Sequence, residues 1–288
     1  MQKNKFDISV IVTAHHEGRL AHRTMRSLFR SAEYAQEEGI SIEIIVVMDK
    51  PDINTLAYFS LYENSKIIIK VVEFGDPGLS RNYGVEISSG KYVYFLDADN
   101  LVGRDWLYKA YQYLEGSNKD IIVHPEYHIV FEAKNIIWCQ LSSFGTDFYI
   151  EDLMEYNYWD TVCGAKRDIL LKYPFERTST DSGFGYEDWH FNCQTLADGI
   201  EHHVVPETVH FLRTKKIGSR LAYDNQANRL IRPTRLFDPN IFSSMLAEKN
   251  RKKEIDNNNE KKSDSKLDQK KKIKHSLFHP ISSLQNSL

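Results

Sequence analysis

Residues 92–99 read Tyr92-Val-Tyr-Phe-Leu-Asp-Ala-Asp99, an apolar run that ends in two carboxylates one residue apart. The run predicts a buried strand, and aspartates spaced in this way on an extended chain point to the same side. Both side chains could therefore converge on one ion or ligand. Carboxylate oxygens suit Mg²⁺ or Mn²⁺, which proteins bind through one or two carboxylates together with phosphate oxygens. A solvated turn is the alternative explanation for such a pattern.

Similar apolar runs precede and follow this strand, and helical patterns alternate with them. The other predicted strands of this part cover residues 8–14, 42–48, 67–72 and 120–124. Predicted helices between them cover about 20–29, 53–63, 79–88 and 104–115. Strand–helix alternation of this kind predicts an α/β fold with a single, mostly parallel central sheet and helices on both faces.

The carboxyl ends of the predicted strands are the first place to look for a site. Right-handed crossovers put these ends along one edge of a parallel sheet, and ligands bind at that edge. The segments that follow strands one, two and four are Ala14–Glu17, Asp49–Lys50 and Asp97–Asp99. We expect these three segments to lie close together.

Composition divides the chain into a folded part and a charged tail. We predict one domain over residues 1–245, with halves at about 7–125 and about 126–240 that form the two walls of a cleft. The second half is less periodic and contains a predicted helix at Glu187–Ala197. Residues 246–288 are rich in Lys, Asn, Asp and Glu, a composition that predicts disorder or a lone exposed helix.

Charge is distributed unevenly between these parts. Glu248–His275 holds eleven Lys/Arg and six Asp/Glu, which leaves a net charge of −8 on the remainder of a chain whose total is −3. A folded part this acidic argues against nucleic-acid binding, which needs a basic face, and is compatible with recruitment of divalent cations. The basic clusters of the tail could contact an anionic membrane surface or a protein partner, and a solvated spacer is the alternative.

The cysteines and the apolar runs bear on location. Cys139, Cys163 and Cys193 are far apart and lack metal-ligand spacing, which indicates a reducing compartment and three buried apolar groups. The apolar run Ile8–Val12 is too short for the core of a signal peptide, and no stretch approaches the ~20 apolar residues that cross a bilayer. We expect a cytoplasmic protein, with peripheral contact at the inner membrane face as an option for the tail.

Two motifs resemble those of a known family. Pro77-Gly-Leu-Ser-Arg-Asn-Tyr-Gly84, followed by Ser89-Gly-Lys-Tyr-Val-Tyr-Phe-Leu-Asp-Ala-Asp99, has the order and spacing of the central signature of family 2 glycosyltransferases. Gly183-Phe-Gly-Tyr-Glu-Asp-Trp189 resembles the acceptor-side motif of the same family. The resemblance covers about residues 7–220. It implies a GT-A fold, with a Rossmann-like nucleotide-sugar half and an acceptor half, and an inverting transfer of a sugar.

The resemblance also assigns residues to the donor. Those expected to contact the nucleotide sugar are Ala14, Glu17, Asp49, Arg81, Asp97, Ala98, Arg213 and Lys215. Asp49 matches the aspartate that contacts the nucleobase, with a helix N-cap as its alternative. The Arg81 guanidinium could pair with a diphosphate oxygen or brace Asp97. In related enzymes, basic residues at the positions of Arg213, Lys215 and Arg220 clamp the diphosphate.

This sequence departs from the family pattern at two donor positions. The family usually has Pro-x-Tyr-Asn where this chain has Ala14-His-His. It usually has Asp-Asp-Gly-Ser or Asp-Asn-Gly-Ser where this chain has Asp49-Lys-Pro-Asp52. The base and ribose contacts are therefore weakly defined. A UDP-sugar is the favoured donor, and the motifs name neither the sugar nor the base.

The acceptor-side motif carries the expected catalytic base. In the family, the aspartate that matches Asp188 removes a proton from the acceptor hydroxyl, as an inverting transfer requires. Glu187 is then an acceptor or orienting contact, and Tyr186 and Trp189 could stack on sugar faces or simply pack. The alternative for both acids is stabilisation of the positive end of a helix.

A divalent cation, Mn²⁺ or Mg²⁺, is the expected cofactor. The resemblance assigns it to Asp97 and Asp99, with His210 as a third ligand that favours Mn²⁺. His210 follows a short predicted strand at about 203–205. No role is predicted for His15, His16, His202 or His203.

The leading hypothesis is an inverting glycosyltransferase that transfers a sugar to a saccharide or lipid-linked saccharide in cell-surface polysaccharide synthesis. One alternative is a non-catalytic nucleotide-sugar-binding or scaffold subunit of the same fold. A sugar nucleotidyltransferase would need a Gly-rich basic loop after the first strand, and Ala14-His-His-Glu-Gly-Arg19 lacks that loop.

Overall fold

A computed structural model of the protein describes residues 4–178, 183–215 and 220–251. The chain divides into two compact units, Met1–Ile241 and Phe242–Leu288. Of the second unit, residues 242–251 are described and are helical. The predictions made for the tail beyond them lie outside the described residues. Within the described ranges, no helix is long and apolar enough to cross a membrane.

Nine strands of the described chain form one sheet. They are β1 (Phe6–Ala14), β2 (Ile42–Asp49), β3 (Ile68–Val72), β4 (Gly90–Asp97), β5 (Leu101–Val102), β6 (Ile121–Glu132), β7 (Ile136–Cys139), β8 (Gly164–Lys166) and β9 (Glu201–Thr214). Their order is β3-β2-β1-β4-β8-β6-β9-β5, with β7 paired to β6. β3, β2, β1 and β4 run parallel, the antiparallel β8 joins β4 to β6, and β6 and β9 are again parallel.

The helices are α1 (Ala21–Glu37), α2 (Ile53–Phe59), α3 (Pro77–Ile87), α4 (Trp106–Glu115), α5 (Arg167–Lys172), α6 (Glu187–Ala197) and α7 (Arg220–Gln226). α1 is amphipathic, because its buried residues Ala21, Met25, Leu28 and Ala32 recur every three or four positions. α3 begins sharply, since the Asp76 side chain accepts a hydrogen bond from the backbone N–H of Leu79 and proline occupies the first turn.

Two hydrophobic cores lie on opposite faces of the sheet. Alternate residues of β1 show the division, because Ile8, Val10 and Val12 pack with α1 and α4, whereas Ile11 packs on the side of α3 and α5. Burial on both faces explains why β1 reads as a continuous apolar run. The parallel pairing of β1 with β2 and β4 places the carboxyl ends of these three strands at one edge.

The predicted fold class is confirmed: the fold is α/β, its first four strands are parallel, and helices cover both faces. Residue 125, near which the two predicted halves of the domain meet, lies inside β6, and the division into halves stays a prediction. The strand expected at 203–205 is part of the much longer β9, so His210 lies within a strand rather than after one. Cys163 and Cys193 are buried as predicted, but Cys139 lies on β7 and is exposed.

Two fully buried histidines make the stability of this fold depend on pH. His124 and His202 stack beside Trp159, and their facing ring nitrogens, Nε2 and Nδ1, are 2.9 Å apart. Burial lowers the pKa of His124 to about 3 and that of His202 well below its usual value. Both rings are therefore neutral in the folded protein at pH 7.

We expect the free energy of unfolding to decrease as the pH falls below about 6.5, because the unfolded chain then protonates these histidines and the folded chain does not. His124 alone contributes a loss of about 2 kcal/mol at pH 5. Urea unfolding between pH 7.5 and 5 measures the slope of the free energy of unfolding against pH. His124→Gln should flatten it and His203→Gln should flatten it less; equal slopes in both variants would contradict the assignment.

Candidate active site

A cavity of about 1030 Å³ opens at the carboxyl edge of the parallel strands. Its wall contains most of the residues predicted for a site: Ala14, Glu17, Asp49, Arg81, Asp97, Asp99, Tyr186, Glu187, Asp188, Arg213 and Lys215. Three other predicted residues, Ala98, Trp189 and His210, are not part of the wall as described. The tertiary structure thus brings together side chains from β1, β2, β4, α3, α6 and β9.

Asp97, the last residue of β4, is held as an ionised carboxylate. Its Oδ1 accepts hydrogen bonds from Thr13 Oγ1 at 2.7 Å and Arg81 Nη2 at 2.8 Å. Its Oδ2 accepts a bond from Thr161 Oγ1 at 3.3 Å. Burial raises the pKa of Asp97, but the charge of the Arg81 guanidinium and the hydrogen bonds from Arg81 and Thr13 together outweigh burial, and the net effect is a lowered pKa.

Arg81 connects the two halves of the site. Its Nη1 donates to Glu187 Oε1 at 2.8 Å while Nη2 holds Asp97, and its side chain is 4% exposed. Of the two roles left open by the sequence, the contacts show the brace on Asp97. Because both guanidinium ends are engaged, Arg81 sets the position of the end of β4 relative to the start of α6.

Asp99 lies among basic side chains at the end of β9. Its Oδ2 is 2.7 Å from Lys215 Nζ and 3.6 Å from Arg213 Nη1. The neighbouring Asn100 accepts a hydrogen bond from the backbone N–H of Arg213 at 2.9 Å, which fixes this segment beside the carboxylate. Arg213 and Lys215 therefore lie beside Asp99 in the cavity wall, and their contact with the donor stays a prediction. The side chain of Arg220 lies outside what is described.

Asp188 lies in the first turn of α6 and has the properties of a base. Asn157 Nδ2 donates to its Oδ2 at 3.2 Å. Burial, and next the repulsion of Glu187, raise the pKa of Asp188 to about 7. The preceding Tyr186 has a left-handed backbone with φ of 56°, a strained conformation that is more frequent at functional sites.

The other acceptor-side residues differ in their surroundings. Glu187 is nearly buried against Arg81, which favours the orienting role. Tyr186 lines the cavity, and its hydroxyl donates to Asn225 Oδ1 at 2.5 Å. Trp189 Nε1 donates to the carbonyl of Leu153 at 2.9 Å, and its ring packs edge-on against Tyr186. Of the two roles predicted for Trp189, its contacts favour packing.

The Asp49 carboxylate is 6% exposed and is occupied by the protein itself. Oδ1 accepts from the backbone N–H of Gly75, and Oδ2 accepts from the N–H of Asp76 and the hydroxyl of Ser80. The helix N-cap alternative for Asp49 is wrong, because Asp52 caps α2 by accepting from Thr55. Asp49 organises the turn before α3, and the nucleobase contact remains a prediction.

The segment after β1 contains a histidine that sequence reasoning left without a role. His15 lines the cavity, its Nδ1 is 2.5 Å from the carbonyl oxygen of Asp49, and its ring stacks on His16. Glu17 Oε2 accepts from the backbone N–H of His15, and Glu17 Oε1 lies 3.7 Å from Lys215. Ala98 is 1% exposed, and its backbone bonds to Thr13 and Thr24.

His210 lies beside residues that the sequence did not single out. Its Nδ1 is 3.0 Å from Asp160 Oδ2, and His128 Nδ1 is 3.7 Å from the same oxygen. The possible ligand atoms of His128, Asp160 and His210 all lie within 4.8 Å of one another. Among the described residues, neither Asp97 nor Asp99 belongs to this group. No motif marks His128 or Asp160; the pairing of β6 with β9 brings His128 beside His210, and Asp160 comes from the segment before β8.

Comparison with known proteins places the chain in a family. The model of glycosyl transferase family 2 matches residues 9–175, more than half of the chain. The chain therefore belongs to glycosyl transferase family 2. This confirms the resemblance read from its motifs.

Curated relatives that match part of the chain include two poly(ribitol-phosphate) glycosyltransferases. A poly(ribitol-phosphate) beta-glucosyltransferase of Bacillus spizizenii is 29% identical over 118 residues, which are 40% of this chain and 18% of that protein. The poly(ribitol-phosphate) beta-N-acetylglucosaminyltransferase TarP of Staphylococcus aureus is 27% identical over 122 residues, 40% of this chain and 35% of TarP. The matched regions span well under half of these relatives.

Solved structures share the fold. Residues 1–349 of S. aureus TarS in complex with UDP-GlcNAc align with a TM-score of 0.57 and 17% identity over 75% of this chain and 60% of that one. Mannosyltransferase PcManGT from Pyrobaculum calidifontis, in complex with GDP-Man and Mn²⁺, aligns with a TM-score of 0.52 and 15% identity over 84% of this chain and 70% of that one. At these identities the likeness concerns the fold, which is that of glycosyltransferases.

Proposed function

We propose that the protein transfers a sugar, with inversion, from a nucleotide-sugar donor to a hydroxyl group of a saccharide or lipid-linked polymer of the cell surface. The observation that carries the proposal is the meeting of Asp97, Asp99 and Asp188 in one cavity, with the pKa of Asp188 raised to about 7. Family membership supports the reaction class. The preferred donor is a UDP-sugar, as in the TarS complex.

The side chains divide the work of an inverting transfer. Asp188 accepts the proton of the acceptor hydroxyl as that oxygen forms a bond to the anomeric carbon of the donor. The bond between that carbon and the diphosphate oxygen breaks on the opposite face, through an oxocarbenium-like transition state. Arg213 and Lys215 provide positive charge near Asp99 for the departing diphosphate.

The carboxylates at the end of β4 fit a divalent cation, since they are oxygen ligands that face the cavity. When bound, Mn²⁺ or Mg²⁺ neutralises charge on the diphosphate. Asp99 is the better placed of the two, because Asp97 is already held by Arg81 and Thr13. Lys215 Nζ contacts the same carboxylate, 2.7 Å from Asp99 Oδ2.

The acceptor class follows from the relatives rather than from the cavity. Both curated relatives are named for action on poly(ribitol-phosphate), a polyol phosphate polymer. We propose such a polymer, or a lipid-linked saccharide, as the first acceptor to test. Synthesis of such polymers from nucleotide sugars is compatible with a cytoplasmic location at the inner membrane face.

Release of nucleotide from a panel of UDP-, GDP- and dTDP-sugars tests the proposal without a known acceptor, because many such enzymes slowly hydrolyse the donor. We expect release from one donor with Mn²⁺ or Mg²⁺, loss of release with EDTA, and at least a 100-fold decrease in Asp99→Asn. Asp147→Asn is the matched control, because Asp147 is an exposed carboxylate outside the cavity.

Two other outcomes have different meanings. Nucleotide binding without release, even with poly(ribitol-phosphate) added, would favour the alternative of a scaffold subunit of the same fold. Absence of binding by every nucleotide sugar in a calorimetric titration would contradict the proposed function.

A further inference from the structure

Two histidines that the proposed reaction does not use lie side by side beneath the cavity. His128 of β6 and His210 of β9 are direct neighbours in the parallel register of the two strands. Their rings are 4.8 Å apart and nearly perpendicular, and their side chains are 1% and 0% exposed. Neighbouring residues on parallel strands project to the same face, so both imidazoles meet the segment that carries Asp160.

These buried rings make few of the hydrogen bonds that buried polar groups normally have. Within the part of the chain that the structure describes, both nitrogens of His128 and the Nε2 of His210 have no hydrogen-bond partner. His210 Nδ1 and Asp160 Oδ2 are in contact at 3.0 Å, but without the geometry of a hydrogen bond. Asp160 Oδ1 accepts from the N–H of Val162, which turns Oδ2 toward the two rings. Buried groups without partners cost free energy, and a bound ion is one explanation for several of them in one place.

We propose that His128, Asp160 and His210 form a binding site for a divalent transition-metal cation, of which Zn²⁺ and Mn²⁺ are examples. The two Nδ1 atoms lie 3.0 and 3.7 Å from Asp160 Oδ2. Ligand atoms around one ion with bonds of about 2.0–2.2 Å lie roughly 3–4 Å apart, so small side-chain adjustments complete the coordination. Two imidazoles and one carboxylate suit transition metals better than Mg²⁺ or Ca²⁺.

This site is separate from the cation expected at the end of β4. Asp99 is engaged by Lys215 and Arg213, whereas the group formed by His128, Asp160 and His210 does not include it. The sequence-based assignment of His210 to the Asp97 and Asp99 ion is therefore replaced, in this proposal, by a different set of ligands. The site does not depend on glycosyl transfer and can be tested in its absence.

A cation in this position connects the two parallel strands to the cavity wall. Asp160 lines the cavity, and the adjacent Thr161 donates to Asp97. Metal binding would thus fix the segment of Asp160 and Thr161. Thr161 holds one carboxylate oxygen of Asp97, and Thr13 of the neighbouring strand holds the other. We expect the ion to position this wall and to stabilise the fold, without contact to the donor.

Pulsed electron paramagnetic resonance on the full, unmutated chain tests the ligand set directly. The chain is freed of metal with a chelator and given one equivalent of Mn²⁺, with no nucleotide present. We expect electron–nuclear coupling to the nitrogens of two imidazoles. Coupling to one nitrogen would place the ion at Asp99 with a single histidine, and coupling to none, or no bound Mn²⁺, would leave the three residues as a metal-free cluster; each of these results overturns the proposal.

Variants separate the two sites by metal affinity. Asp160→Asn and His128→Gln should each weaken binding of Mn²⁺ or Co²⁺ on the order of 100-fold. Asp99→Asn should leave the affinity of the nucleotide-free protein unchanged, because a cation at Asp99 also needs the diphosphate oxygens of the donor. His203→Gln is the matched control, because His203 lies on the same strand but is bound to Tyr113 and Glu201. Loss of affinity in Asp99→Asn together with full affinity in Asp160→Asn would refute the assignment.

Discussion

Asp188→Asn should lower the rate of sugar transfer about 10³-fold while leaving the affinity for the donor nearly unchanged, because general-base catalysis contributes roughly 10²–10⁴-fold. Asparagine preserves the size of the side chain and the contact with Asn157 but cannot accept a proton. Initial rates with a saturating acceptor measure the loss. Donor affinity, from calorimetric titration with a UDP-sugar, shows whether the site is still formed.

The dependence of the transfer rate on pH, measured with the unmutated enzyme, should show the protonation of Asp188. The pKa of Asp188 is raised to about 7, so the basic, deprotonated form disappears as the pH falls. The rate should therefore drop about tenfold per pH unit below 7 and level off above it. The small residual rate of Asp188→Asn should lack this dependence near pH 7.

Asp152→Asn is a control for this prediction, because Asp152 is a carboxylate that binds the hydroxyl groups of Tyr156 and Tyr158 and does not line the cavity. It should retain transfer activity within a few-fold. An unchanged rate in Asp188→Asn would mean that Asp188 is not the base and that both acids of α6 serve the positive end of the helix.

Arg81→Met should destabilise the folded protein by about 3–5 kcal/mol, the cost of removing one partner of a buried ion pair. Methionine matches much of the side-chain volume but leaves Asp97 and Glu187 without their shared partner. Because Asp97 ends the strand that carries the proposed cation ligands, transfer activity should also be lost. Urea unfolding at pH 7.5 measures the stability.

Arg104→Met is the comparison for this variant. Arg104 is exposed, and its carboxylate partner Glu37 is 4.0 Å away, so its loss should change stability by less than about 0.5 kcal/mol. Glu187→Gln combined with Arg81→Met should cost less than the two single changes added together, because the pair acts as one unit. A loss below about 1 kcal/mol in Arg81→Met would show that this network does not hold the site together.

Much of the fold could be predicted from the sequence, because the first 125 residues follow local rules. β1, β2 and β4 are buried on both faces and read as apolar runs, and the helix predicted at 79–88 overlaps α3. The second half was harder to predict. β9 was recognised only at 203–205, because in the described structure its exposed and buried residues follow no clear alternation.

The part of the candidate site that lies in local sequence motifs could be predicted, and the rest could not. Asp97, Asp99 and Asp188 lie in motifs with a defined position relative to a strand end or a helix start, and all three line the cavity. His128 and Asp160 could not be found, since no spacing relates them to His210. The choice between the two roles of Arg81 also depended on a partner, Glu187, that is 106 residues away.

By itself, the sequence determined the order of the main strands and helices in the first 125 residues, the edge of the sheet where the cavity opens and the family to which the chain belongs. These follow from hydrophobic pattern and from residues close together along the chain. The tertiary structure alone decided the pKa of Asp188, the engagement of Asp49 and Arg81, and the ring contact of His128 with His210. These properties depend on burial and on distances between residues far apart in sequence, which exist only after the chain has folded.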